Sequence, residues 1–333
     1  MNQPPWERTP PNFTEIEEAA GRIAAACVVT PLLESSLLNA RLGGRILVKA
    51  EGLQRTGSFK MRGAFNRMSQ LTDEERRRGV VAYSSGNHAQ AVAAAARALG
   101  TTAVIVMPAD APHGKIEKTK AYGGEVVLYD RYREDRAAIG EKLARERGLM
   151  LVPPYEDRRI LAGAGTLGRE VAAQSKAMGA SLDTLLVGCS GGGLIAGCAL
   201  AMEVMSPGTA VMAVEPAGFD DTGRSLASGT RVANDPEARS ICDSLLAPTP
   251  GELTFTVNQR LLKGALAVTD AEALEGLKVA FRDFGLVAEP GGVLPLAAVV
   301  TGRYDACGKT VAVVLSGSNV DLDAFAEWIT ATR

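Results

Sequence analysis

The chain has 333 residues, and its 36 Lys and Arg residues nearly balance its 38 Asp and Glu residues, which leaves a net charge of −2. This balance argues against a nucleic acid or an anionic membrane as a partner held by bulk charge. Hydrophobic residues at 46% and charged residues at 22% are ordinary globular values, so disorder is excluded, and the length predicts two lobes or domains.

Short apolar runs alternate along the chain with longer amphipathic segments. A capping box of Thr14 and Glu17 predicts the start of the first helix. Strands are predicted at residues 46–48, 80–83, 103–107, 126–128, 149–152, 185–187, 211–214 and 311–315. Helices are predicted after Ser58, at 88–99, around 115–122, at 134–147, after Gly165, after Gly193 and from Thr269. Residues 220–262 lack periodicity and are expected to be mostly irregular.

The alternation of strands and helices predicts an α/β fold with mainly parallel sheets covered by helices on both faces. Pro153 and Pro154 mark the clearest break, and a second crossing is predicted in the charged stretch 72–79. We therefore expect a discontinuous large domain of residues 1–69 and 153–333, and a small α/β domain of residues 70–152 that closes over the substrate.

Residues 184–202 carry no charge and have the length of a membrane span, but five of these nineteen residues are Gly. A strand, a tight loop and a helix explain the cluster better, so no membrane partner is expected. The five cysteines contain no C-x-x-C pair, and the prolines of residues 1–12 predict a loose arm rather than an export signal. These features predict a cytoplasmic protein without disulfides.

Two segments match the dinucleotide fingerprint G-x-G-x-x-G/A, at residues 163–168 and 191–196. The first lacks a preceding strand and is interpreted as a close-packed helix start. The second follows a predicted strand, opens a helix and has Glu215 at the end of the next strand, so a nicotinamide site stays open. Its glycines also let backbone N–H groups converge, which makes an anion cradle suited to phosphate, although tight packing is the alternative.

Two further segments contain residues that could carry chemistry. Lys60 lies in the first turn of a predicted helix, where the helix dipole makes a neutral amine easier to reach. A neutral lysine can form an imine with an aldehyde, although a solvated surface lysine is the ordinary alternative. Residues 84–90 place hydroxyls and an amide at a helix N-terminus, which suits a carboxylate ligand or simple helix capping.

Four motifs occur together in order: S-F-K-M-R-G-A at residues 58–64, S-S-G-N-H-A-Q at 84–90, S-G-G-G at 190–193 and S-G-S-N at 316–319. This series resembles the pyridoxal-phosphate enzymes of fold type II, and in particular the threonine/serine dehydratases and the serine racemases. The resemblance extends from about residue 14 to the end of the chain. It implies the two-domain fold of the tryptophan synthase β type, pyridoxal 5'-phosphate as cofactor, and a homodimer.

The resemblance also implies a role for each motif. Lys60 would hold the cofactor as an imine and remove the α-proton of the substrate, with Phe59 near the cofactor ring. Asn87 would bind the ring hydroxyl, and Ser316 would face the pyridine nitrogen. The cofactor phosphate would be bound by Ser190, Gly191, Gly192, Gly193 and Leu194. The substrate carboxylate would be bound by Ser84, Ser85, Asn87 and His88.

The sequence EPAGFDD at residues 215–221 resembles the divalent-cation loop of the same family. The resemblance implies Mg²⁺ or Ca²⁺ bound by Glu215, the carbonyl of Phe219 and Asp221, all of them oxygen donors that such cations prefer. A solvated acidic loop is the alternative. A cation here would also prevent Glu215 from serving a ribose, which weakens the nicotinamide interpretation.

We therefore predict an enzyme that converts a small β-hydroxy amino acid, with L-threonine or L-serine as first candidates, to a 2-oxo acid and ammonia. A neutral hydroxyl at Ser316 favours prompt loss of a β-leaving group over transamination. Other substrates stay open: 3-hydroxyaspartate, phenylserine or an intermediate of osmolyte breakdown. Racemisation also stays open, because Ser85 matches the serine that supplies the second-face proton in racemases. A nicotinamide oxidoreductase and a non-catalytic ligand-binding relative are the alternatives from other classes.

Overall fold

The computed structural model describes residues 9–330, so residues 1–8 of the predicted N-terminal arm and residues 331–333 lie outside the description. The strands are β1 Leu32–Glu34, β2 Arg45–Ala50, β3 Val80–Tyr83, β4 Ala103–Pro108, β5 Glu125–Tyr129, β6 Met150–Leu151, β7 Thr184–Gly188, β8 Ala210–Pro216, β9 Ala265–Val268 and β10 Thr310–Leu315. The helices before β7 are α1 Phe13–Ile23, α2 Ser36–Leu42, α3 Lys60–Met68, α4 Asp73–Arg78, α5 Asn87–Leu99, α6 His113–Ala121, α7 Arg136–Arg147 and α8 Arg158–Ala177. The helices after β7 are α9 Gly193–Met205, α10 Asp221–Ser228, α11 Glu252–Leu261, α12 Asp270–Phe284, α13 Pro290–Val300 and α14 Leu322–Thr330, and two short 3-10 helices cover Glu51–Leu53 and Asp243–Leu245.

The strands form two separate sheets. The larger sheet has the order β1-β2-β10-β7-β8-β9 and is parallel except for β1, which pairs antiparallel with β2. The smaller sheet has the order β5-β4-β3-β6 and is entirely parallel. The α/β fold expected from the alternating pattern is confirmed. All four strands of the smaller sheet come from residues 80–151, while the domain boundaries at residues 69–70 and 152–153 stay a prediction.

Apolar packing covers both faces of each sheet. In the larger sheet, α12 and α13 bury one face, and α8 and α9 bury the other. In the smaller sheet, α3 and α5 cover one face and α7 the other. Burial on both faces explains why the central strands are continuous apolar runs, such as Val311 to Leu315, rather than alternating ones.

Two predicted helix boundaries are wrong. The first capping box joins Asn12 and Glu15 rather than Thr14 and Glu17, because Asn12 caps the helix two residues earlier and Phe13 then packs against the core. The fingerprint at 163–168 lies inside α8, which is capped by Asp157, and not at a helix start. Its glycines remain helical because α3 and α9 approach too closely for side chains: a Cβ on Gly163 would lie 2.6 Å from the Arg62 carbonyl oxygen.

The region 220–262 is also more regular than predicted, since it contains α10 and α11. The N-terminus of α11 is capped by the carboxylate of Glu156, which accepts hydrogen bonds from the backbone N–H groups of Glu252, Leu253 and Thr254. A cap supplied from about a hundred residues away leaves no local sequence signal. The sequence-based prediction therefore missed this helix.

Residues 184–202 form β7, a glycine loop and α9, as the glycine cluster predicted. Within residues 9–330 no helix has the length and apolar character needed to cross a membrane. All five cysteines are free, and three of them, Cys189, Cys198 and Cys242, are buried.

Candidate active site

One pocket lies between the two sheets, at the carboxyl ends of their parallel strands. Ser84 follows β3, Ser190 follows β7 and Ser316 follows β10, and all three residues line the pocket. This edge of an α/β sheet is where ligands are usually bound. Every residue predicted to bind a cofactor or the substrate lines this one pocket: Phe59, Lys60, Ser84, Ser85, Asn87, His88, Ser190, Gly191, Gly192, Gly193, Leu194 and Ser316.

Lys60 is the first residue of α3, and its amine projects into the pocket. Burial lowers the pKa of Lys60 to about 8. Its Nζ donates a hydrogen bond to the carbonyl oxygen of Pro154 at 2.9 Å and lies 5.0 Å from the centroid of the Phe59 ring. Neither partner carries a negative charge that would offset the desolvation of the ammonium group. Lys60 is therefore an amine that is easily made neutral, not a solvated surface lysine.

A buried ionic network lies beneath α3. Arg62 is fully buried and donates pairs of hydrogen bonds to the carboxylates of Glu51 and Glu170, at 2.7–2.8 Å. Lys49, also fully buried, pairs with the same Glu170. Two-point guanidinium–carboxylate pairing fixes orientation as well as distance. Because Arg62 is two residues from Lys60, the network fixes the part of α3 that presents the amine.

The glycine loop, residues 190–194, leads into α9 and packs against Tyr155. A Cβ on Gly191 would lie 2.3 Å from the Tyr155 ring, and one on Gly193 would lie 2.8 Å from the Tyr155 Cβ. Gly192 has φ +89°, which favours glycine, and a Cβ there would meet Asn258 at 2.6 Å. Backbone N–H groups at the start of α9 have no helical acceptor, so the loop can offer them to an anion.

The turn at residues 84–88 leads into α5. Asn87 donates to Glu289 and accepts from Asn319 at 2.9 Å, so its amide is already held by the protein on both sides. The His88 Nε2–H donates to the carbonyl oxygen of Val152 at 2.9 Å. Burial, and then the charge of Lys60, lower the pKa of His88 to about 3. His88 is therefore neutral at physiological pH, and its Nε2 is not free for a substrate carboxylate.

The predicted cation loop lies outside the pocket lining. Both oxygens of Glu215 accept backbone N–H groups, from Thr222 and Gly223, so this carboxylate is not available to a ribose. Burial, followed by repulsion from Asp221, raises the pKa of Glu215 to about 8, and burial raises that of Asp221 to about 6. Asp221 Oδ2 is buried without a hydrogen-bond partner. Within residues 9–330 no cluster of three or more His, Cys, Asp or Glu residues could hold a metal ion.

A charged wall, formed by Lys115, Arg131, Arg136 and Asp243, completes the pocket, and no sequence motif indicated it. Arg131 pairs with Asp110 at 2.7 Å, and Lys115 pairs with Asp243 at 3.1 Å. The Arg136 guanidinium lies 5.7 Å from the centroid of the Tyr83 ring and, within residues 9–330, forms no ion pair. In the sequence these residues look like any solvated helix face or loop, and only the fold brings them together.

Comparisons with known proteins agree with this arrangement. The family model described as "Pyridoxal-phosphate dependent enzyme" matches residues 23–317. The chain is 40% identical to an L-threo-3-hydroxyaspartate ammonia-lyase of Saccharomyces cerevisiae, with 96% of each chain covered. It is 36% identical to a serine racemase of Schizosaccharomyces pombe, over 96% of this chain and 97% of that one. Among solved structures, the serine racemase of maize superposes with a TM-score of 0.90 at 34% identity, over 95% of this chain and 96% of the other.

Proposed function

The chain belongs to the pyridoxal-phosphate dependent enzymes, and from that premise we propose that the pocket around Lys60 deaminates an acidic β-hydroxy amino acid of the 3-hydroxyaspartate type. Its similarity to ammonia-lyases makes it a pyridoxal-phosphate dependent lyase of the threonine/serine dehydratase type. The observation that carries the proposed substrate is Arg136, a cation of the pocket wall without a carboxylate partner within residues 9–330.

The residues present fit the cofactor. Lys60 supplies a buried amine with a pKa of about 8, and the glycine loop supplies backbone N–H groups at the start of a helix, where any side chain would clash with Tyr155 or Asn258. We propose that Lys60 holds the cofactor, that residues 190–194 bind its phosphate, that Asn87 bonds its ring hydroxyl beside Phe59, and that Ser316 faces its pyridine nitrogen. When bound, pyridoxal phosphate supplies an aldehyde for the amine and an electron sink for the bond broken at the substrate α-carbon.

Each residue around the substrate has a separate role in the proposed reaction. Nζ of Lys60 takes the α-proton, a role for which a pKa near the working pH is suited. The hydroxyls of Ser84 and Ser85 and the free N–H groups at the start of α5, at Asn87 and His88, bind the α-carboxylate. Ser316, a neutral hydroxyl, does not hold the pyridine nitrogen protonated, which favours prompt loss of the β-hydroxyl. Hydrolysis of the product releases a 2-oxo acid and ammonia.

The charged wall supports a second carboxylate on the substrate. Arg131 and Lys115 already have carboxylate partners, whereas Arg136 lines the pocket over the Tyr83 ring and forms no ion pair within the described residues. A guanidinium group binds a carboxylate through two parallel hydrogen bonds, which threonine and serine cannot supply from their side chains. Two of the curated relatives, each 40% identical, are named for L-threo-3-hydroxyaspartate. We therefore place this substrate ahead of L-threonine and L-serine.

The experiment is a substrate panel on the holoenzyme. L-threo-3-hydroxyaspartate, L-threonine and L-serine are compared by kcat/KM for keto-acid release, with the Lys60→Ala variant as the inactive control. We expect the dicarboxylate to exceed both monocarboxylates by about tenfold or more, as one charge-assisted hydrogen-bonded pair implies. Equal or higher values for threonine would overturn the proposed substrate, and no keto product from any of the three would overturn the lyase itself.

We further propose a divalent cation, Mg²⁺ or Ca²⁺, bound by Glu215, the carbonyl of Phe219 and Asp221. Support comes from two buried carboxylates with raised pKa values and from Asp221 Oδ2, which is buried without a partner. A bound cation would remove the repulsion and supply that partner. Thermal unfolding with Mg²⁺, with Ca²⁺ and with chelator tests this proposal. We expect the cation to raise Tm in the wild type and not in Asp221→Asn, and an equal response of both proteins would contradict the site.

We also propose that the enzyme is a cytoplasmic homodimer whose small domain, residues 70–152, closes over the substrate. The family resemblance supports the dimer, and the five free cysteines are compatible with a reducing compartment. Sedimentation equilibrium of the holoenzyme tests the assembly, and a single species of monomer mass would contradict it.

A further inference from the structure

Helix α11 packs against the glycine loop without lining the pocket. Thr254 and Asn258 lie one turn apart on this helix, and both contact the loop. A Cβ on Gly192 would lie 2.6 Å from Asn258 Nδ2 and 2.9 Å from Thr254 Oγ1. Thr254 Oγ1 also donates a hydrogen bond to the Gly191 carbonyl oxygen at 2.6 Å. One face of α11 therefore supports the loop from behind the surface that lines the pocket.

The two polar side chains on this face of α11 differ in how they are bonded. Thr254 and Asn258 are both fully buried. The Thr254 hydroxyl is bonded to the loop, whereas neither Oδ1 nor Nδ2 of Asn258 has a hydrogen-bond partner within residues 9–330. A buried amide without partners costs free energy that an apolar side chain of the same size would not cost. The position of this amide beside Gly192 therefore points to a hydrogen bond with the loop.

The backbone of the loop is able to provide the missing partner. Residues 191–193 are all glycine, so their peptide groups rotate at little steric cost. The Gly192 carbonyl oxygen accepts from the Ala196 N–H at 3.0 Å, and its second lone pair is available for another donor. A phosphate group on the pocket side would attract the N–H groups of the loop. Such a rotation also changes which backbone atoms face α11.

We propose that Asn258 is a positioning residue for the cofactor phosphate, and that its amide bonds to the Gly192 backbone when the loop binds the phosphate. This inference rests on the proposed role of residues 190–194 as the phosphate site. The phosphate is bound on one side of the loop and the Asn258 amide on the other. Because the coupling of two binding events is reciprocal, the amide strengthens phosphate binding by the same factor by which the phosphate strengthens the amide bond.

The experiment compares two ligands of the apoprotein, pyridoxal 5'-phosphate and pyridoxal, which lacks the phosphate. Their dissociation constants are measured from the absorbance of the bound ligand. Asn258→Leu nearly preserves the size of the side chain and removes both polar atoms. We expect this variant to raise the Kd of pyridoxal 5'-phosphate by about 3- to 12-fold, the equivalent of one hydrogen bond. The Kd of pyridoxal should change by less than about twofold, because no phosphate is present to orient the loop.

Two further variants complete the comparison. Gln259→Leu is the matched control on the same helix, because the Gln259 amide donates to the Gly229 carbonyl oxygen at the surface, and both ligands should bind it as they bind the wild type. Asn258→Ala also removes the amide and should show the same selective loss of pyridoxal 5'-phosphate, so the comparison holds even where the leucine variant does not fold.

Thermal unfolding gives a second readout, which has a different sign in the two forms of the protein. In the apoprotein, Asn258→Leu should leave Tm unchanged or raise it, because the variant removes a buried amide without partners. In the holoenzyme the same variant should lower Tm, because it weakens the binding of a ligand that stabilises the folded state.

Equal weakening of both ligands, or an equal shift of Tm in the apoprotein and the holoenzyme, would assign Asn258 a purely structural role and overturn the proposal. An unchanged Kd of pyridoxal 5'-phosphate in both Asn258 variants would overturn it as well. Failure of the proposed phosphate site is a different outcome, because the wild type would then bind pyridoxal 5'-phosphate no more tightly than pyridoxal.

Discussion

The two sides of the pocket differ in how their charged residues are buried and paired. On one side, Lys60 lies two residues before Arg62 on α3, and the Arg62 guanidinium is fully buried and bonded to Glu51 and Glu170. On the other side, near β5 and α7, Arg131 and Arg136 are partly exposed, and Arg136 has no ion-pair partner within residues 9–330. We propose that the buried ionic network of Arg62 fixes the reactive amine and that the partly exposed Arg136 selects the substrate. The reaction and the choice of substrate should therefore respond to different substitutions.

The largest effect is expected from removing the Arg62 guanidinium from the buried ionic network. Arg62→Met leaves Glu51 buried and stripped of its principal partner, and removal of one member of a buried ion pair costs about 3–5 kcal/mol. The free energy of unfolding, measured with denaturant, should fall by that amount. Arg169→Met is the matched control, because Arg169 pairs with Glu17 on the surface, where such a pair contributes about 1 kcal/mol or less. Equal losses of unfolding free energy in the two variants would show that the buried ionic network stabilises the fold no more than a surface ion pair does.

The next effect lies on the opposite side of the pocket. Arg136→Met should lower kcat/KM for L-threo-3-hydroxyaspartate by about 10- to 150-fold, the equivalent of a hydrogen bond to a charged group at about 1.5–3 kcal/mol. L-serine should change by about threefold or less. Arg145→Met, on the same helix in an exposed pair with Glu141, should leave both substrates near wild type. A parallel loss for both substrates would assign Arg136 a structural role instead of specificity.

A third effect concerns the pH dependence of the amine. The pKa of Lys60 is lowered to about 8, so its neutral fraction grows as the pH rises through 8. Below that value each pH unit changes the fraction about tenfold. The rate at which the apoprotein takes up pyridoxal phosphate should therefore rise by about tenfold between pH 7 and pH 9 and then level off. A rate still rising steeply at pH 10 would mean that burial does not lower the pKa of Lys60.

The smallest effect is expected at the cap of α11, which supports the glycine loop through a Thr254 hydrogen bond to the Gly191 carbonyl oxygen. Glu156→Gln removes the charge that faces three backbone N–H groups and should lower the free energy of unfolding by about 1 kcal/mol. Glu146→Gln, exposed on α7, is the control and should change stability little. A loss in the free energy of unfolding as large as that of Arg62→Met would show that Glu156 contributes as much to stability as the buried ionic network does.

Local chemistry determined how much of this molecule could be predicted. Runs such as Val80 to Tyr83 are apolar, bounded and buried on both faces, so their strands were found at the observed residues. β1 and β9, edge strands of three and four residues, were missed. Glycines inside α8 suggested a helix start, since their contacts with α3 and α9 exist only in the fold.

The site shows the same division between local and long-range signals. The motifs around Lys60, Ser84, Ser190 and Ser316 are contiguous, and the parallel sheets bring them to one edge, so the sequence sufficed to name them. The charged wall is assembled from separate elements. Nothing in the sequence around its residues distinguishes them from ordinary charged residues on the protein surface. The cation loop stays a prediction, because three of the four carboxylate oxygens of Glu215 and Asp221 already accept hydrogen bonds within the protein.

The central claim is that the Lys60 amine holds the cofactor. Apoprotein is mixed with pyridoxal 5'-phosphate and reduced with borohydride, and intact mass and peptide mapping then locate the product. We predict one covalent adduct per chain, on Lys60, and none in Lys60→Ala. An adduct on another lysine, or none in the wild type, would contradict it.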